Sequence, residues 1–147
     1  MSSSSATRAA LPVAAAIAAN VAVFAVGKAA DASFVVAGRN AGDAPMEIGV
    51  AAVVFASLLP LVIGVVLTAW AARRRPTAAR RLRMAAGVLT VVSLAAPLTA
   101  DTDGGTRAAL ALMHLVVGAG YLVATRRTAT ASVASGPLTA EAVVSSR

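Results

Sequence analysis

The sequence predicts an all-α integral membrane protein, an antiparallel four-helix bundle with both termini cytoplasmic. Three observations carry this expectation. Of the 147 residues, 59% are hydrophobic and 13% charged, whereas soluble domains are about 45–50% apolar and about a quarter charged. The apolar residues fall in four blocks, each long enough to cross a bilayer. The basic residues gather at the block ends, above all in Arg73-Arg74-Arg75-Pro76-Thr77-Ala78-Ala79-Arg80-Arg81-Leu82-Arg83, which holds six of the thirteen. Arginines beside a span resist translocation, so this stretch reads as a short cytoplasmic loop that sets the direction of every span.

Residues 1–8 form a polar start expected to be disordered. The first span, 9–27, contains Pro12 in its first turn, where a missing N–H costs little, and Asn20. Nineteen residues at about 1.5 Å each cover roughly one hydrocarbon core. A cleaved signal peptide is the rival, because Arg8 precedes the run and Ala30-Asp31-Ala32 supplies small residues. The run exceeds the usual signal core of about 7–15 residues, which favours an uncleaved helix. Residues 28–47 form the first loop, and Asp43-Ala44-Pro45 within it reads as a helix start, a capping carboxylate followed by proline. The second span, 48–72, has no formal charge; Pro60 should kink it and Trp70 should sit at headgroup level.

The third and fourth spans, 84–100 and 108–125, are near the minimum crossing length. Their seven-residue connection makes them a helical hairpin. Arg126 and Arg127 should stop the fourth span, leaving 126–147 as a flexible tail. The resulting single membrane domain covers 9–125. With the arginine loop inside, ten basic residues lie on the inner side and only Lys28, Arg39 and Arg107 outside, in line with the positive-inside rule.

Placed on helices at about 100° per residue, the polar and small residues form one stripe per span. Arg107, His114, Gly118, Tyr121 and Thr125 align on the fourth; Thr90, Ser93, Pro97 and Asp101 on the third. Ser57, Gly64 and Thr68 align on the second; Asn20, Gly27 and Asp31 on the first. Buried together, these stripes let helices approach closely and find polar partners. His114 is the only ionisable side chain inside a span, and such residues lean functional. The functional reading is an outward-facing pocket with His114 as acid/base, Asp101 as its orienting or proton-donating carboxylate and Arg107 as an anion or carbonyl clamp. Asn20, Ser57 and Tyr121 supply its polar lining. The bland reading makes His114 a neutral ring bonded to Asn20 or a backbone carbonyl, Asp101 and Arg107 a loop ion pair, and Tyr121 an interfacial anchor.

No metal and no cofactor is expected. Asp101-Thr-Asp103-Gly begins like a calcium loop but lacks its closing glutamate, and a magnesium site needs more carboxylates. There is no cysteine, hence no thiolate site. The net charge of +7 does not point to nucleic acid, because the cations cluster at span ends. The expected partners are the bilayer itself and anionic headgroups at Arg73, Arg74, Arg75, Arg80, Arg81 and Arg83.

The hairpin Pro97-Leu-Thr-Ala-Asp101 … Thr106-Arg107 … Leu112-Met113-His114-Leu115-Val116-Val117-Gly118 resembles a family of small four-helix membrane proteins found in actinobacteria and filed as a domain of unknown function. That resemblance implies four spans and no assigned reaction. Three functions are weighed for a multi-pass protein of the cytoplasmic membrane. A non-catalytic accessory or structural subunit fits the few charges and many small residues. A membrane-embedded acid/base enzyme on a lipophilic small molecule, of the isoprenoid or terpene cyclase type, fits the Asp101, Arg107 and His114 pocket. The 3% aromatic content argues against it, since carbocations are shielded by aromatic faces. A small oligomeric exporter ranks last, because no carboxylate lies mid-span.

Overall fold

The computed structural model describes residues 3–38 and 43–134, with side chains over 9–38, 43–75 and 77–126. Among these residues five helices follow in order: α1 (Ser3–Ala29), α2 (Val50–Arg74), α3 (Pro76–Ser93), α4 (Ala95–Thr99) and α5 (Gly104–Ala134). Four stretches are long and apolar enough to cross a membrane: Ala9–Ala29, Val50–Arg74, Thr77–Thr99 and Gly104–Arg126. Large apolar side chains on them, Phe55, Ile63, Val66, Val88, Leu89 and Val91 among others, point away from the protein. In water such a surface would drive association; in lipid it costs nothing.

The helix ends follow local chemistry rather than the hydropathy limits. Arg75 alone separates α2 from α3, with extended backbone, and Pro76 opens α3 at a position where its missing N–H is harmless. Arg80, Arg81 and Arg83 therefore ride on the first turns of α3, which corrects the expected loop over 73–83. Pro97 lacks the N–H that Ser93 O would accept and its ring crowds that carbonyl. The helix accordingly breaks at Leu94 and resumes as the five-residue α4. Pro60, by contrast, does not end α2, and Pro12 lies well inside α1 rather than in its first turn. α5 runs on through Arg126 and Arg127 to Ala134. Those arginines close the apolar stretch, but nothing before Gly136 breaks a helix. The expected tail over 135–147, with Arg147, and Arg39 in the first loop lie outside the described residues.

The first loop is more ordered than an irregular connection. α1 ends in a Schellman cap: Ala32 N–H donates to Gly27 O at 3.0 Å and Asp31 N–H to Lys28 O at 3.2 Å. Asp31 sits at C′ with φ 60°, the left-handed turn this cap needs. Val35–Val36 (β1) then pairs antiparallel with Met46–Glu47 (β2), Val35 opposite Glu47. Asp43-Ala44-Pro45 thus leads into a strand, and the helix start falls at Gly49–Val50, correcting the expected cap.

The core lies along α5. α1 and α2 both pack on it and on each other, and α3 packs on α2 and α5. Phe34, Val53, Ala109 and Met113 form one apolar cluster, and Ala16, Leu61 and Tyr121 a second. Only 6% of the third span's most apolar stretch is buried, against 33% of the fourth's, so α3 is the most loosely held.

Candidate functional site

At the end away from the arginines, the first loop is clamped onto the α4–α5 connection. Asp103 is the N-cap of α5: its carboxylate accepts Thr106 N–H at 2.8 Å and Thr106 Oγ1–H at 2.6 Å. The same group accepts Ser33 N–H at 3.2 Å and Ser33 Oγ–H at 2.5 Å. These donors stabilise the ionised form and hold its carboxyl well below the usual carboxylate range, the Ser33 hydroxyl first. Thr106 Oγ1 in turn accepts the buried Phe34 N–H at 2.8 Å. Thr102 Oγ1 donates to Val35 O at 2.6 Å, and Ala37 N–H to Asp101 O at 3.1 Å. The Phe34 ring fills the space left by Gly27, whose missing Cβ would lie 2.8 Å from it. The Phe24 ring packs against it, tilted by 53° with centroids 4.6 Å apart, and Lys28 Nζ lies 5.6 Å from its centre.

The three residues expected to form an acid/base site do not bond one another. His114 Nδ1 bonds Leu110 O at 2.7 Å, one turn back on its own helix. Arg107 folds onto the backbone, donating to Ala100 O at 3.0 Å and Thr102 O at 3.4 Å. The Asp101 side chain is exposed and is bonded to neither. The expected Asp101–Arg107 ion pair does not form; Lys28 Nζ instead lies 3.6 Å from Glu47. Asp103 is the connection's organising carboxylate. Half of its role was readable, since Asp followed by Gly104-Gly105-Thr106 has the form of an N-cap; Ser33, seventy positions away, was not. No cluster of three metal-ligating side chains occurs among the described residues.

Deeper in, the expected polar stripes meet. Asn20 Nδ2 donates to Ser57 Oγ at 2.8 Å and to Met113 O at 3.4 Å, tying α1 to α2 and α5. Thr68 and Tyr121 share a hydroxyl bond of 2.7 Å between α2 and α5. Tyr121 is therefore a buried tie rather than a headgroup anchor, its ring packed over Gly64. Between α2 and α3, over α5, lies a cleft of about 870 Å³. It is lined mostly by apolar side chains, with Asn20, Ser57, Thr90, Ser93, His114 and the Thr68–Tyr121 pair as its polar points. That size suits a small lipophile.

At the opposite end the arginines are mostly in the open. Arg73, Arg74, Arg75, Arg80 and Arg81 are exposed, and Arg74 stacks on the exposed Trp70 ring at 5.6 Å. Arg80, Arg83 and Arg126 line a smaller cleft with Met84 and Leu122.

A model described as a family of unknown function, DUF6069, matches residues 2–131. No curated protein and no solved structure matches the chain.

Proposed function

The chain belongs to the DUF6069 family of unknown function, and from that premise we propose a non-catalytic four-span protein of the cytoplasmic membrane, an accessory or structural subunit. Its helices run as an antiparallel bundle, with both termini and the arginine end in the cytoplasm and the Asp103 clamp outside. In the sequence, ten basic residues fall in segments that this topology puts inside and three in segments that it puts outside, which supports that orientation. The arginines of α2 and α3 meet anionic headgroups there.

One observation carries the functional reading: the polar side chains that reach between helices serve to join them, and the three acid/base candidates do not meet. Asn20, Ser57, Thr68 and Tyr121 bond across helices, and His114, Asp101 and Arg107 do not converge on a common point. An acid/base enzyme needs those three within reach of one substrate atom.

A deletion strain complemented with Asp101→Ala, Arg107→Ala and His114→Ala tests this. Each variant should restore whatever the wild type restores, in proportion to the protein inserted. Full insertion with complete loss of rescue in the Asp101 and His114 variants would establish a chemical role and end the accessory reading.

A further inference from the structure

The cleft between α2, α3 and α5 has an asymmetric hydrogen-bonding character. Around His114 and Asn20 its hydroxyl protons are already spent. Ser57 Oγ–H donates to Val53 O at 2.7 Å, Thr90 Oγ1–H to Ala86 O at 2.8 Å and Ser93 Oγ–H to Thr90 O at 2.8 Å. What these groups still offer is lone pairs.

His114 adds to this. Leu110 O can only accept, so the 2.7 Å contact places the ring proton on Nδ1. In the neutral ring that leaves Nε2 as an acceptor with no partner among the described residues. Asn20 Oδ1, on the wall of the same cleft, is buried and accepts nothing among the described residues. Asn20 itself is 1% exposed. The remaining hydroxyl proton belongs to the Thr68–Tyr121 pair, and Tyr121 lies about two helical turns from His114, roughly 10 Å.

We propose that this cleft binds an uncharged lipophile through a hydroxyl group, whose O–H donates into the acceptor cluster around His114 and Asn20. The apolar remainder lies between α2 and α3. At the His114–Asn20 end a ligand with acceptors alone would face lone pairs, and a cation would have no carboxylate to meet. An unpartnered acceptor in a low-dielectric setting gains from a donor, and the surrounding bilayer offers no competing water.

The test uses the full chain in nanodiscs and a pair of photoreactive probes. One is a C18 chain with a mid-chain secondary hydroxyl and a diazirine; the other is the ketone of the same skeleton. Labelling sites are mapped by mass spectrometry, with unlabelled alcohol as competitor. The alcohol should label cleft residues saturably and about three- to tenfold more strongly than the ketone, the gain from one net hydrogen bond. Ala56→Phe, which fills the cleft from its rim, should abolish labelling by both probes. His114→Leu should bring alcohol and ketone to parity while leaving some labelling. Equal labelling of the wild type by both probes would mean unselective lipid chains in the cleft, and overturns the proposal. So does labelling that unlabelled alcohol fails to displace, or a cleft that cross-links to a second copy of the chain instead of the probe.

Discussion

Replacing Thr106 by valine isolates the contact that joins the first loop to α5. Thr106 is fully buried; its Oγ1 accepts Phe34 N–H at 2.8 Å and donates to Asp103 at 2.6 Å. Valine keeps the shape and removes both bonds. Phe34 is itself fully buried and holds φ 53°, a left-handed conformation that a bulky residue adopts only when its surroundings enforce it. Its N–H would be left buried without an acceptor, at about 1–3 kcal/mol. Opening of the loop should become easier by the same amount, so Phe34 amide exchange in detergent should quicken roughly five- to 150-fold. Thr106→Ser retains the hydroxyl and should recover most of the protection. Exchange within twofold of wild type in the valine variant would refute the clamp. It would mean that Phe34 is held by ring packing alone.

The other predictions concern the same clamp and the α3 contact. Asp103 has a native pKa below its unfolded value. Its stabilising contribution is therefore complete above about pH 4, and is lost as pH falls from there through the native value. Asp103→Asn should lower the melting temperature at pH 7 and flatten its fall on acidification; equal acid sensitivity in both proteins would contradict the assignment. Gly118 is buried where a Cβ would lie 2.3 Å from the Thr90 side chain. Gly118→Val should cost about 1–3 kcal/mol by overpacking, and Thr90→Ala, which removes the two nearest atoms but keeps the Cβ at 2.9 Å, should relieve part of it in a double-mutant unfolding cycle.

Much of this architecture is readable from the residues. Hydropathy locates the four spans because a bilayer demands long apolar runs. The 3.6-residue period puts Ser57, Gly64 and Thr68 on one face of α2, and Gly118 and Tyr121 on one face of α5; in the fold Gly64 and Thr68 meet Tyr121, Ser57 meets Asn20 and Gly118 meets Thr90. Hydropathy marks where the apolar stretch stops, though, not where the helix stops. Arg80, Arg81 and Arg83 are good helix formers, so α3 starts at Pro76. Likewise α5 passes Arg126. The first loop was opaque because its order comes from afar: Ser33 and Phe34 owe their places to Asp103 and Thr106. The pairing expected between the Asp101, Arg107 and His114 side chains does not form, for a related reason. A shared stripe puts Arg107 and His114 on one face, yet each found a backbone carbonyl nearer than the other.

The bonding pattern also divides the helices unequally. Asn20, Ser57 and the Thr68–Tyr121 pair tie α1, α2 and α5 together. The described α3 side chains bond only within their own helix, through Thr90 and Ser93. Packing alone holds α3, and in lipid apolar packing has little hydrophobic drive behind it, since the tails are as apolar as the protein. α3 should therefore move as a unit against a tied trio, hinged at Arg75 and Leu94, and widen or narrow the cleft it walls. The chain has no native cysteine, so nitroxide pairs can be introduced cleanly at exposed positions. A Val88–Leu115 pair, spanning α3 and α5, should give a clearly broader distance distribution than an Ala22–Leu115 pair spanning α1 and α5. Equal widths would show that side-chain ties do not set the order of loosening, and that α3 is as firmly seated as the rest.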